Sequence, residues 1–184
     1  MQINHHEEEM DKCLFDALYA LMQTKPIEEI SVGDILERAH VSRSSFYRRY
    51  QDKYELLTKS YERLMDHTFL RCMQDMTWKE SSTALFDILG EHPCFFRHAI
   101  SGRGPDSLYQ FICDVILGCM AERFQAQGID LYADWRLLSA AKAYIYGTMD
   151  VTSEWAQADM PYPADELIEW LCEIMPECLR DYCM

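Results

Sequence analysis

The residues best equipped for chemistry in this chain stand close together: Ser42, Arg43, Ser44, Ser45, Tyr47 and Arg48, with Lys53 a little further on. Hydroxyls, guanidiniums and an ammonium at such density suit the recognition of anionic oxygens. A guanidinium can also address the paired acceptors on a guanine edge. Other chemistry-bearing groups are scattered. His5 and His6 adjoin one another in a polar lead-in and read as solvent-exposed rather than metal-binding. The eight cysteines (13, 72, 94, 113, 119, 172, 178 and 183) form no CxxC pair and no zinc-like spacing, so no metal is expected. Cys94, in His92-Pro-Cys-Phe-Phe-Arg-His98, has cationic neighbours that could make it a redox-responsive thiol. The competing reading, a small hydrophobe on an apolar helical face, applies to most of the eight. No Glu-x-x-His pair, Gly-rich phosphate loop or Ser/His elbow is present, so neither an enzyme nor a cofactor is expected.

Three helix starts position the donor-rich stretch. Ser31 with Asp34 forms a Ser-x-x-acid capping box, flanked by Ile30 and Ile35 as a hydrophobic staple. Ser42 caps a second helix, and Val41 with Phe46 repeats the staple. Asp52 caps a third, with Glu55 at its N3 position. These signals predict helices over 32–39, 43–50 and 53–76. Two short helices joined by His40-Val41-Ser42 make a helix-turn-helix, centred on 31–50. Ile35, Leu36, Ala39, Val41, Phe46 and Tyr50 supply its inner contacts with a preceding helix at 7–24, whose Met10, Leu14, Ala17, Leu18 and Leu21 share one face. Burying Phe46 and Tyr50 turns Ser44, Ser45 and Arg48 outward, flanked by Tyr47 and Arg49.

Almost half of the 184 residues are apolar, Gly and Pro are few, and no alternating strand pattern with hairpin turns appears. The fold class expected is all-α, with about nine helices: a head over 1–58 and a helical regulatory and dimerisation body over 59–184. The net charge of −14 and pI near 4.7 have the wrong sign for nucleic acid taken whole. Locally the balance reverses to +2 between residues 31 and 59, and residues 43–51 contain no acid. A basic patch on an acidic protein suits a directional head. No apolar run is long enough to span a bilayer, and the polar, acidic start is no signal peptide, so a cytoplasmic location is expected.

Body helices are expected over 81–89, 92–99, 106–127, 132–158 and 164–182. Breaks are expected at Gly90, Gly102–Pro105, Gly128 and Pro161–Pro163, with Pro176 kinking or ending the last helix. The 106–127 segment is apolar around much of its circumference and reads as interior.

The stretch from Ser31 to Leu57 resembles the DNA-binding head of the TetR/AcrR family. Asp34-Ile35, Ala39, Val41-Ser42, Phe46-Tyr47, Lys53 and Leu56-Leu57 fall at the family's positions. His40 replaces a turn glycine, Ser45 a threonine, and Arg49-Tyr50 a Tyr-Phe pair, while the lead-in over 5–11 is acidic where basic residues are usual. The resemblance implies a transcriptional regulator, by habit a repressor, that binds a pseudo-palindromic operator as a homodimer. It implies phosphate contacts from Ser42, Ser45, Tyr47 and Lys53, and base contacts from Arg43, Ser44 and Arg48. It also implies a ligand pocket for an unidentified small-molecule effector, for which Phe86, Phe96, Phe111, Met120, Tyr144 and Gly147 are the candidates. Gly147 has a second reading, close helix packing. Dimerisation is expected through the last two long helices, with Trp135, Ile145, Met149, Leu167, Leu171 and Met175 as candidates. Two alternatives stand beside this reading. One is a helical protein-interaction module whose degenerate head has lost DNA binding, and the other a cysteine-based redox-responsive regulator.

Overall fold

Local caps set the helix starts. In the computed structural model, which describes residues 5–66, 76–91, 93–100, 102–104 and 107–183 without the side chains of 5–7, 64–66 and 94, Ser31 and Asp34 exchange both bonds of their capping box. Asp34 N–H donates to Ser31 Oγ (3.1 Å) and Ser31 N–H to Asp34 Oδ2 (2.9 Å). Ser45 N–H donates to Ser42 Oγ at 3.1 Å, and Asp52 Oδ1 accepts from the N–H groups of Tyr54 and Glu55. These caps start α2 (Val32–Ala39), α3 (Arg43–Tyr47) and α4 (Lys53–Asp66). They follow α1 (His5–Met22) and a 3-10 turn at Ile27–Glu29. His40, at φ 55°, adopts the left-handed conformation its place in the turn demands.

The body contains α5 (Trp78–Glu91), α6 (Pro93–Ala99), α7 (Leu108–Ala126), α8 (Trp135–Gln157), α9 (Ala164–Glu173) and α10 (Glu177–Cys183). All ten α-helices described belong to an all-α architecture, with no strand among the described residues. The part of the expected 53–76 helix beyond Asp66 lies largely outside the described residues, as do the side chains of His5, His6 and Cys94, and Cys72 altogether.

Several boundaries correct the sequence reading. Helix α3 stops at Tyr47 rather than 50, because Arg49 and Tyr50 N–H both turn onto the Phe46 carbonyl at 2.9 Å and tighten the last turn. Helix α5 begins at Trp78, three residues early, behind a second capping box in which Thr77 N–H donates to Glu80 Oε2 at 2.8 Å. It then runs through Gly90 without the expected break. Glycine costs about 1 kcal/mol in a helix, and burial of Leu85, Phe86 and Leu89 on the same helix outweighs that. Pro176 does divide the last segment, separating α9 from α10.

Helix α1 packs on α2 and α4, and α2 on α3, to form the head around Leu14, Leu18, Met22, Ile35, Phe46 and Leu56, and α1 also meets α6 of the body. In the body α7 lies on α8, α9 covers α5, and α10 closes against both α7 and α8. This arrangement covers most of the expected dimer residues within the subunit. Ile145, Met149, Leu167, Leu171 and Met175 are buried in the subunit's own core, and only Trp135, 69% exposed, remains on the surface. An apolar stripe identifies a helix face that needs cover, not which copy supplies it. The expectation that α7 is interior also needs revising. Ile112, Cys113, Met120 and Phe124 are buried, but Phe111, Val115, Gly118 and Ala121 are only half-covered.

Candidate nucleic-acid interface

Phe46 is fully buried, with Tyr47 packed edge-on against its ring, and it anchors α3 to the head. Helical geometry then leaves Ser42, Arg43, Ser44, Tyr47 and Arg48 exposed, while Ser45 is half-buried. Ser42 Oγ is a hub: it lies 3.0 Å from Ser44 Oγ, donates to Ser45 Oγ at 2.9 Å, and accepts the Ser45 N–H. Among the described residues Arg43 and Arg48 form no ion pair. The structure therefore gathers six of the seven expected residues on one end of the head, as a face of hydroxyls and guanidiniums.

Lys53 is the departure. Its ammonium donates to the carbonyls of Ile27 (2.8 Å), Glu28 (3.2 Å) and Ile30 (2.8 Å), which occupies all three N–H bonds. In place of the phosphate grip expected of it, the ammonium here makes a structural tie between the start of α4 and the 3-10 turn. The Ile27 carbonyl already accepts the Ile30 N–H at 3.1 Å, so the ammonium adds a second bond there and reaches the Glu28 and Ile30 carbonyls beside it.

The sequence reading missed Asp11. Its Oδ2 accepts from Arg49 Nη2 at 2.5 Å and its Oδ1 from the Tyr50 hydroxyl at 2.8 Å. Burial, and then the adjacent carboxylate, push the Tyr50 phenol well above its ordinary range, so it stays a donor. The pairing joins residues 38 apart in sequence, beyond the reach of any local pattern.

A small cavity of about 50 Å³ lies in the body, lined by Trp78, Phe86, Ile100, Tyr144, Met149 and Thr152 among others. Of the expected pocket residues only Phe86 and Tyr144 line it. Phe96 and Met120 are buried without lining it, Phe111 is half-exposed on α7, and Gly147 is exposed on α8. An added Cβ at Gly147 would meet nothing within 4 Å, so close packing within the subunit does not explain this glycine.

The end of α6, with Ile100 and Arg103 just beyond it, joins body to head. Ser153 Oγ donates to the Ile100 carbonyl (3.2 Å), and Arg103 pairs with Asp150 (3.1 Å). Arg97 binds both the Ala156 carbonyl and Asp159. All of these tie the segment to α8 and its end. On the other side His98 Nδ1 lies 2.7 Å from the carbonyl of Met22, the last residue of α1.

Residues 14–59 match the family model described as "Bacterial regulatory proteins, tetR family", and residues 76–177 match "Transcriptional regulator C-terminal region" of the same group. The chain belongs to the TetR family. It is accordingly a DNA-binding transcriptional regulator and not an enzyme. Two solved structures share the fold of this TetR-family protein along nearly its whole length. The dihydroxyacetone kinase operon activator DhaS is 19% identical, with a TM-score of 0.63, 95% of this chain covered and 98% of that one. A Clostridium perfringens protein named for regulation of fatty acid metabolism is 16% identical, with a TM-score of 0.56 and coverage of 89% and 96%. Comparison with curated proteins gave no match. Among the described residues no helix is long and apolar enough to cross a membrane, and no group of three His, Cys, Asp or Glu side chains is placed to hold a metal.

Proposed function

We propose that this TetR-family regulator acts in the cytoplasm as a homodimer, reads a pseudo-palindromic operator with α3, and is released from it by a small-molecule effector. The observation that carries the reading is the exposed Ser42, Arg43, Ser44, Tyr47 and Arg48 on a short helix locked from behind by Phe46. Hydroxyls and the amides at the start of α3 suit phosphates and fix register, while Arg43 and Arg48 suit guanine edges in the major groove. The head is assigned to 1–58 and the regulatory body to 59–184, with α4 crossing the boundary as the link.

The dimer uses the outer faces of α7 and α8. Phe111, Val115, Gly118 and Ala121 on α7, with Ser139, Ala143 and Gly147 on α8, follow three- and four-residue spacing and are left open by the subunit. An added Cβ at Gly118 or Gly147 meets nothing within the chain, so two helix pairs can approach closely there. The effector enters the body cavity. At about 50 Å³ that cavity must expand for a ligand of ordinary size, since occupied pockets run to roughly 300 Å³ or more. Expansion displaces Ile100, Met149 or Thr152, and the end of α6 carries the shift through His98 to the end of α1. The resemblance implies repression, whereas DhaS is named an activator. The sign depends on where the operator lies relative to its promoter.

Redox control through the described buried thiols has the physics against it. Burial raises Cys113 to about 12 and Cys119 and Cys183 to about 11, the opposite of a reactive thiolate.

The test is selection from a random duplex library at moderate salt, beside a Tyr47→Ala, Arg48→Ala double variant. A pseudo-palindrome enriched by the native chain and lost in the variant is the expected result. No enrichment, with equal weak retention of both proteins, would leave a helical interaction module instead.

A further inference from the structure

Three arginines stand at or just beyond α3, and they are not equivalent. All three are exposed, but Arg43 and Arg48 form no ion pair among the described residues, whereas the Arg49 guanidinium is folded back onto α1. Its Nη2 meets Asp11 Oδ2 at 2.5 Å, and Asp11 keeps only 15% of its side chain exposed. The second carboxylate oxygen is taken by the Tyr50 hydroxyl at 2.8 Å. One carboxylate on α1 therefore grips two consecutive residues where the recognition helix ends. Charge-assisted bonds of this kind are short and strong, and a partly buried pair is poorly screened by salt.

We infer that Asp11 is a positioning residue for DNA binding: it holds the end of α3 against α1 and keeps the Arg49 charge in an internal pair, away from the phosphates. The consequence is quantitative. Each phosphate neutralised by a cation steepens the dependence of log K on log[salt] by about 0.9 on duplex DNA. Arg49, adjacent to the exposed Arg48, is placed to add one such contact per head, and Asp11 withholds it. The acidic lead-in thus lowers affinity that is indifferent to sequence and leaves the discriminating contacts to Arg43, Ser44 and Arg48. This inference rests on the DNA-binding reading of α3.

The experiment measures binding of the full-length protein to a mixed-sequence 40-base-pair duplex across a salt series, which needs no knowledge of the operator. Asp11→Asn keeps an oxygen acceptor for Tyr50 and removes the charge that holds Arg49. Its slope should steepen by about 1 for each head bound. Arg49→Gln in the native background should leave the slope unchanged, because that charge is already internally paired. The double variant should return to the native slope. Thermal unfolding of each variant accompanies the series. If Asp11→Asn proves unfolded, Arg49→Gln alone still decides. A fall in slope for Arg49→Gln, or an unchanged slope for a folded Asp11→Asn, overturns the inference while leaving DNA binding intact. Absence of any salt-dependent binding by the native protein sinks both.

Discussion

Lys53 places its ammonium within 3.2 Å of three carbonyl oxygens, those of Ile27, Glu28 and Ile30. Hydrogen bonds from a charged donor contribute roughly 1.5–3 kcal/mol in net stability, and orphaned carbonyls add a desolvation penalty. Lys53→Met keeps the length of the side chain and deletes all three bonds. The expected outcome is a loss of about 2 kcal/mol in urea denaturation, with the salt slope for duplex DNA unchanged. A phosphate-contacting ammonium would give the reverse: little change in stability and a slope shallower by about 0.9 per head. The position of Lys53 in the head is readable from its place before Leu56-Leu57, but the direction of its ammonium is not. That direction depends on the 3-10 turn, 23 to 26 residues upstream, whose exposed carbonyls leave no mark in the sequence. Asp11 was illegible for the same reason. Its partners are set by how α1 lies against the turn after α3, and a lead-in acid by itself reads as a solvated charge.

At the scale of the elements, the caps carry both the legible part of the fold and a pH dependence. Asp34 is held below its ordinary value of 3.8 mainly by the Ser31 N–H and then by the Ser31 hydroxyl. Glu80 is held below 4.5 in the same way by Thr77. A depressed native pKa means that the unfolded chain takes up the proton first as the pH falls. The stabilisation is therefore complete above these ordinary values and is lost as pH falls through the lower native ones. Urea midpoints should hold steady between pH 7 and 5 from these two groups and decline below about pH 4, with Asp34→Asn and Glu80→Gln together flattening that decline. An unaltered acid limb in the double variant would show that the boxes do not contribute. The Ser31 box was legible because Ile30 and Ile35 frame it. The Thr77 box has the same Thr-x-x-Glu spelling, yet the run of Ser81-Ser82-Thr83 behind it blurs the apolar period that would mark a helix start. Gly90 was misread in the opposite direction, since local propensity is weak beside the burial of Leu85, Phe86 and Leu89.

For the whole molecule, the sequence revealed amphipathic helices without revealing which apolar stripe the subunit covers for itself. On α8 the large residues Tyr144, Ile145 and Met149 face inward, and the small residues Ser139, Ala143 and Gly147 face out. Large side chains attract attention in a sequence, so the expected interface was drawn on what is core. If the outer faces of α7 and α8 pair across a two-fold axis, Gly147 permits the close approach, and a substitution there separates subunit stability from assembly. Gly147→Leu adds a side chain into space that is empty within the chain, in a residue type that favours helix by several tenths of a kcal/mol. The isolated subunit should hold its helicity and unfold no more easily than the native one. Across the interface the same leucine collides with its symmetry mate, so the dimer should weaken at least tenfold, on the order of 1.4 kcal/mol. Sedimentation over a concentration series reads this directly, and binding to a two-half-site operator should fall with it because one head alone contacts one half-site. A variant that sediments as the native protein does would move the interface off α8. The exposed Trp170 and Ile174 on and just past α9, 44% and 43% accessible, would then become the face to examine, and the two heads would be spaced by a different pair of helices.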